Sequence, residues 1–231
     1  MQNIDIPNSV VSIGAGAFGF CSSLLSVDIP NSVISIGEGA FAYCSSLKNL
    51  DIPKSLTNID SLFLQGCSSL KDIEICDSVN FISAHAFDFC SSLNGINVSP
   101  YNPNYVSVEG VLFSKDMGNM IRMPEGLNLK EYKIPTSVVS IISAAFYSCV
   151  FLESIEIPHS VVFIGSNAFG FCASLKNISI DHVEIEKCEI AGNAFEGVNF
   201  EACTLYIPSG TRWAYCHHPV FSKFKNIVTQ R

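Results

Sequence analysis

The sequence predicts a mainly β solenoid of short parallel strands, stacked at a 23-residue period and carrying little helix. Three observations predict it. Ile6–Asp28 (IPNSVVSIGAGAFGFCSSLLSVD), Ile29–Asp51 (IPNSVISIGEGAFAYCSSLKNLD), Ile52–Glu74 (IPKSLTNIDSLFLQGCSSLKDIE) and Ile75–Asn97 (ICDSVNFISAHAFDFCSSLNGIN) are successive spellings of one unit, which returns from Ile134 and from Ile157. Apolar side chains keep the same places in every unit. One unit alone buries too little to offset the ordering of its backbone, so neighbours must stack and share hydrogen bonds.

In the second unit Leu47, Leu50 and Ile52 follow the pattern LxxLxIP, a short strand that Pro53 ends because proline donates nothing to a ladder. Val33, Ile36, Ala40 and Phe41 then read as a second extended leg, closed by a tight turn through Tyr43, Cys44 and Ser45. Stacking places Ala17, Ala40, Ala86, Ala145, Ala168 and Ala194 in one file, beside Phe18, Phe41, Phe87, Phe146, Phe169 and Phe195. The third unit has Phe63 and Leu64 in these two slots, so local repacking is expected there.

Residues 98–133 break the period. Val106, Val108, Val111 and Phe113 alternate around Glu109-Gly110, and a second turn at 115–119 precedes Met120–Met123, so this stretch reads as a short antiparallel meander. Beyond Ile180 the period loosens to a half-unit at Ile190–Phe195 and a last strand at Cys203–Pro208. Trp213, Tyr215, Phe221 and Phe224 then read as a cap over the final apolar rung. The expected organisation is one solenoid domain over 1–231, with repeats at 6–97, a β insertion at 98–133, repeats at 134–206 and a cap at 207–231.

Thirteen Lys plus Arg against 21 Asp plus Glu leave a net charge of -8 and no basic run, which argues against nucleic acid or an anionic membrane as the main partner. No stretch is long and apolar enough for a spanning helix, and MQNIDIP lacks the profile of a secretion signal. The chain therefore stays inside the cell or belongs to a longer secreted protein. The abrupt start of the first rung favours the second reading.

Of the ten cysteines, Cys21, Cys44, Cys67, Cys90, Cys149 and Cys172 share one slot, three residues after the Phe slot. Rungs sit roughly 4.8 Å apart, so spacing alone permits bridging. Parallel side chains in one file rarely reach the disulfide dihedral, and the expectation is a file of buried, inert thiols.

The pattern LxxLxIPxSVxxIGxxAFxxCxSL, the insertion NPNYVSVEGVLFSKD with IRMPEG, and the ending IPSGTRWAY with FKNIV resemble the BspA-like, or Treponema pallidum type, leucine-rich repeats. The resemblance covers nearly the whole chain. It implies a curved or twisted leucine-rich-repeat solenoid, no family-wide catalytic residues and no cofactor. It also implies a surface or secreted protein of gut or oral bacteria or of mucosal protozoa, with adhesion to host matrix proteins such as fibronectin and fibrinogen. Cys76 in place of proline and Phe63-Leu64 in place of Ala-Phe depart from the pattern and bear only on packing.

Other constellations are weaker. Gly14, Gly16 and Gly19 spell GxGxxG, but no helix is signalled and the slots are better explained as turn positions. Cys203, Cys216, His217 and His218 lack the spacing of a zinc site and read as cap residues. His85, His159 and His182 share no slot and read as surface or loop residues. Asn97 and Asn177 begin glycosylation sequons that matter only in an exported eukaryotic chain.

Alternation points two files of the LxxLxIP strands outward: Asp28, Asp51, Glu74, Asn97, Glu156 and Ser179, and beside them Leu25, Lys48, Lys71, Asn94, Glu153 and Lys176. Asp28, Lys48, Asp51, Lys71, Glu74, Asn97, Glu153, Glu156 and Lys176 form the candidate partner-binding strip. Its acidic file suits a basic partner, and the bland account is a solvated face that keeps the sheet soluble. No nucleophile, base and orienting group come together. The expected function is a non-enzymatic interaction module binding a host matrix protein or a glycan; the alternative is a structural stalk without a ligand.

Overall fold

The structure is a computed structural model that describes residues 2–230. It divides into two compact units, the first holding residues up to 116 together with 122–127, the second residues 117–121 together with those from 128 onward. Both are runs of a mainly β, parallel leucine-rich-repeat solenoid.

In the first unit Asn3–Asp5, Ser26–Asp28 and Asn49–Leu50 pair in parallel, each residue facing its repeat equivalent, with Asp5 opposite Asp28 and Val27 opposite Leu50. Asp72–Ile75 and Gly95–Val98 pair in the same way. Shorter second legs pair likewise, Ser12–Ile13 with Ser35–Ile36 and Asn58–Ile59 with Phe81–Ile82. Val27, Leu50, Ile73 and Ile96 face inward from the first legs, and Ile13, Ile36, Ile59 and Ile82 from the second, so the core lies between two columns of strands.

The second leg is shorter than the spacing predicts. After Ile36 the chain turns, and Ala40 and Phe41 sit in the turn, not on an extended strand. Ala40 N–H donates to the Gly37 carbonyl (3.2 Å) and Ala42 N–H to Gly39 (2.9 Å), while the amides that alternate with them, Phe41 and Tyr43, donate to Phe63 (3.3 Å) and Gln65 (2.6 Å) of the next rung. The corner thus bonds by turns to itself and to its neighbour, and takes left-handed backbone at one or two positions per rung. Gly16, Gly39, Leu62, Ala144 and Asn167 take it two residues before the Phe slot, and Phe20, Tyr43, Gly66, Phe89, Ser148, Phe171 and Gly197 two residues after it. Phe18 and Phe41 stack at 5.2 Å, whereas Phe41 meets Phe63 edge-on at 6.0 Å, which is the repacking expected in the third rung.

The shared cysteine slot has a function the sequence did not reveal. Cys44 Sγ donates to the Phe18 carbonyl at 3.1 Å, Cys67 to Phe41 at 3.2 Å and Cys90 to Leu64 at 3.1 Å, so each thiol ties its rung to the one before. Burial is the main cause that pushes the Cys44 thiol up to about 11 and Cys90 up to about 12. The cysteines are thiols, not disulfides. Native protein treated with a thiol reagent at pH 8 is therefore expected to be labelled readily at the half-exposed Cys21, Cys76 and Cys216, slowly at Cys188, whose thiol is pushed up to about 11 by burial, and at Cys44, Cys67 and Cys90 only after unfolding. Peptide mass mapping checks this; rapid native labelling of Cys67 would contradict it.

The insertion begins as expected. Tyr105–Val108 and Val111–Ser114 form an antiparallel hairpin with Val108 opposite Val111, and Glu109 (φ 53°) and Gly110 (φ 83°) supply the two left-handed residues of a tight turn. Buried Asn102 anchors it: its Nδ2 donates to the carbonyls of Cys76 (2.7 Å) and Val79 (2.9 Å), and its Oδ1 accepts from the amides of Asn104 and Tyr105.

In the second unit Glu131–Lys133, Ser154–Ile157, Asn177–Ile180, Thr204–Ile207 and Asn226–Thr229 form a five-stranded parallel sheet. Asn119 and Met120 pair in parallel with Ser140–Ile141, followed by Phe163–Ile164 and Glu189–Ile190. Two strands of the expected insertion thus stack as rung strands; Leu129, Tyr132 and Ile134 already spell LxxLxIP with Tyr in the second place. Tyr215, Phe221 and Phe224 are buried, with Phe221 and Phe224 each 5.8 Å from Phe195. Trp213 departs from the expected cap: it is 74% exposed. Asn226–Thr229 continues the sheet beyond Thr204–Ile207, a strand hidden in the sequence among Lys, Asn and Gln.

Candidate functional site

The strip sits on the first legs, where strand alternation sends one side chain into the core and the next to solvent. Asp28, Asp51, Glu74 and Asn97 of the first unit are exposed, as are Lys48 and Lys71 in the neighbouring file. Register holds the files straight, with Asp5 opposite Asp28 and Glu74 opposite Asn97. Asp51, Asp72, Glu74 and Asn97 line one shallow depression of about 410 Å³, and Lys48 and Lys71 line an adjacent one with Ser69 and Ser92. Asp72 was missed in the sequence because its slot holds Ser26, Asn49 and Gly95 in other rungs. Its place one residue outside buried Ile73, with Glu74 on the other side, is the signal that could have found it.

The second unit carries the same files differently. Glu153 is held between Lys176 (2.6 Å) and Lys130 (3.1 Å), and Glu156 is paired with Lys133 at 2.8 Å. Lys176 first, then Lys130, keeps the Glu153 carboxyl below the usual carboxylate range. Lys130 and Lys133 fall in the stretch read as insertion, so this neutralisation was hidden in the sequence. Among the described residues Asp28, Asp51, Asp72 and Glu74 form no salt bridge. Within the strip, the carboxylates that form no salt bridge therefore lie on the first unit.

A second charged group of the first unit is buried. Arg122, 2% exposed, reaches Asp88 Oδ1 at 2.9 Å and Glu125 Oε1 at 2.8 Å; Phe89 N–H donates to the same Glu125 oxygen at 2.7 Å, and His85 Nδ1 lies 2.8 Å from Asp88 Oδ2. The cluster pins the 122–127 segment to the fourth rung. Of the remaining constellations, Gly16 of GxGxxG has φ 63° within a turn, and Cys203 is buried while Cys216 is half-exposed. Among the described residues no three His, Cys, Asp or Glu side chains are grouped as a metal ion needs, and no helix is long and apolar enough to cross a membrane.

Comparison with known proteins agrees with this geometry. A family model described as the BspA type leucine rich repeat region matches residues 1–114 and 125–227 in six copies. No curated protein matches the chain. Among solved structures, the pneumococcal vaccine antigen PcpA is 18% identical with a TM-score of 0.59, covering 100% of this chain and 79% of that one. A leucine-rich repeat protein of Eubacterium ventriosum is 21% identical with a TM-score of 0.65, covering 99% and 72%. A leucine rich cell surface protein of Faecalibacterium prausnitzii is 24% identical with a TM-score of 0.54, covering 100% and 79%. At these identities the structures speak for the fold. The matched residues, their 23-residue register and the parallel rungs together establish that this chain belongs to the BspA-type leucine-rich-repeat family.

Proposed function

We propose that the protein is a non-enzymatic adhesion module, displayed on a cell surface or secreted, that binds a basic segment of an extracellular host matrix protein through the acidic strip of its first unit. The observation that carries this reading is the contrast between the units: the second neutralises its own files with Lys130, Lys133 and Lys176, while Asp28, Asp51, Asp72 and Glu74 of the first stand exposed without ion partners. Aligned carboxylates repel one another, and a cationic partner relieves that repulsion on binding. The family is one of interaction scaffolds, and two structural relatives are described as a vaccine antigen and a cell surface protein, which supports exposure outside the cell. Lys48 and Lys71 beside the acids set the register of the partner.

The test is solid-phase binding of the purified chain to fibronectin, fibrinogen and mucin-type glycans at two salt concentrations. Saturable binding that weakens with salt is expected, and the double reversal Asp51→Lys with Glu74→Lys should weaken it by at least about tenfold. Unchanged affinity in the reversal variant sinks the strip. Silence from folded protein across the panel favours a stalk that only projects other parts of a longer protein.

A further inference from the structure

The second unit has a concave site that neither the strip nor the repeat pattern explains. Ile185, Glu186, Trp213, Ala214, His217, His218 and Pro219 line a depression of about 600 Å³. One wall is the 3-10 turn Ile185–Lys187 and the other the helix Arg212–His217. The two are locked together, since Tyr215 on the helix is fully buried and its hydroxyl donates to the His182 carbonyl at 2.8 Å, just ahead of the turn. Arg212 Nη1 also donates to the Ile227 carbonyl at 2.6 Å, so the helix is fixed at its other end. The depression is preformed, within the volume range of small-molecule sites.

Its most unusual member is Trp213. A cap needs its aromatics buried, and Tyr215, Phe221 and Phe224 are; Trp213 is 74% exposed. Its indole stacks on the His217 ring at 4.6 Å, and His217 is held in turn by its Nδ1 contact to the Trp213 carbonyl at 2.8 Å. One indole face is thus covered and braced while the other stays open. Beside this platform lie a carboxylate, Glu186, and an imidazole, His218. Burial pushes the His218 pKa down, so the ring is neutral near pH 7; its Nδ1 accepts the Val220 amide at 3.2 Å, which puts its proton on Nε2.

We propose that this depression binds one pyranose unit of a glycan, with a C–H face of the sugar on the open side of Trp213 and the sugar hydroxyls shared between Glu186 and His218. A pyranose has the two-sided character the site offers: an apolar face that replaces water over an indole, and hydroxyls that donate to a carboxylate and accept from an imidazole N–H. A quaternary ammonium ion fits less well, because it is held by several aromatic faces at once and here only one is open. The site is independent of the acidic strip and stands or falls separately from it.

Trp213 is the only tryptophan of the chain, so its fluorescence reports on this depression alone. The full chain is titrated with methyl β-D-galactopyranoside, methyl β-D-glucopyranoside and methyl N-acetyl-β-D-glucosaminide, and with tetramethylammonium chloride. A saturable emission change with at least one glycoside is expected, and about tenfold weaker binding in Glu186→Gln, the loss of one hydrogen bond to a charged acceptor. In Trp213→Ala, followed by calorimetry because the reporter is gone, the binding heat should vanish while the thermal unfolding curve is unchanged. No saturation by any glycoside up to roughly 100 mM, where even millimolar affinity saturates, overturns the proposal. So does saturation by tetramethylammonium instead of the sugars, or binding heat that survives in Trp213→Ala.

Discussion

Replacing Arg122 with methionine is expected to remove about 3–5 kcal/mol of stability, a large part of what holds a domain folded. The guanidinium is buried between Asp88 at 2.9 Å and Glu125 at 2.8 Å, both nearly as enclosed as itself, and its Nη2 also donates to the Phe87 carbonyl at 3.4 Å. Methionine fills similar volume but leaves buried Glu125 without a counter-charge and Asp88 with only its contact to His85. The loss should depend on pH with a definite sign. Burial lifts the Glu125 carboxyl to about 7 from its ordinary 4.5, against the pull of Arg122 and the Phe89 amide. The folded chain thus keeps a proton that the unfolded chain has released, so the contribution of Glu125 is most favourable below pH 4.5 and is lost as pH rises towards 7. Without Arg122 the lift grows, and urea unfolding should show the variant further below the parent at pH 8 than at pH 5. Equal losses at both values would mean that the two carboxyls are hydrated in the variant. Restoring neutrality in the triple variant Arg122→Met, Asp88→Asn, Glu125→Gln should recover part of the loss.

Truncating Phe169 to alanine should cost about 3–5 kcal/mol as well, by a different route. Its ring is fully buried and lies 4.8 Å from Phe146 on one side and 4.8 Å from Phe195 on the other, nearly parallel to both. The rungs above and below are held apart by their backbone hydrogen bonds, so they cannot collapse into the space left behind. Phe146 N–H donates to the Ala168 carbonyl at 2.7 Å and Phe169 N–H to Ala194 at 2.8 Å. Phe169→Leu keeps most of the volume and should lose less than half as much. Denaturant midpoints of the two variants check the order; a Phe169→Ala midpoint equal to the parent's would show that the stack carries little of the stability.

The repeat was legible because a parallel ladder makes equivalent residues touch: the spacing Val27, Leu50 or Ile155, Ile178 in the sequence is the pairing in the structure. The Glu109-Gly110 turn was legible because its two left-handed positions leave few residue choices. What stayed hidden depends on contacts that cross the period. Asp88 and Arg122 are 34 residues apart, and Arg122 sits in an apolar run, IRMP, where a buried cation has no periodic mark. The Ala-Phe slot looked extended because its buried side chains are spaced as on a strand, although hydrogen bonds fold it into a turn. On the candidate strip, Asp28, Asp51 and Glu74 were legible from alternation. Lys176 beside Glu153 was legible too, but Lys130 and Lys133, which complete the pairing of Glu153 and Glu156, were not, because Tyr132 replaces the leucine that marks their strand. Trp213 was misplaced in the cap because its size suggested burial, and nothing in TRWAY distinguishes its outward face from the inward face of Tyr215.

The left-handed corner two residues after the Phe slot holds Phe20, Tyr43, Gly66, Phe89, Ser148, Phe171 and Gly197, four aromatics, two glycines and a serine. Most bonds that fix the corner, such as Phe20 N–H to Ala42 and Phe171 N–H to Glu196, run between backbone groups; in the fourth rung Phe89 N–H donates instead to Glu125 Oε1. Each non-glycine side chain there costs on the order of 1 kcal/mol in backbone strain, yet it projects outward from a path that does not change with its identity. Phe20 is 74% exposed on that ridge. Phe20 leans on Tyr43 of the next rung at 4.8 Å, and a Cβ at Gly66 would meet the Tyr43 ring at 2.6 Å, so this ridge changes its outer surface by coupled substitutions in adjacent rungs while the hydrogen-bonded frame stays the same.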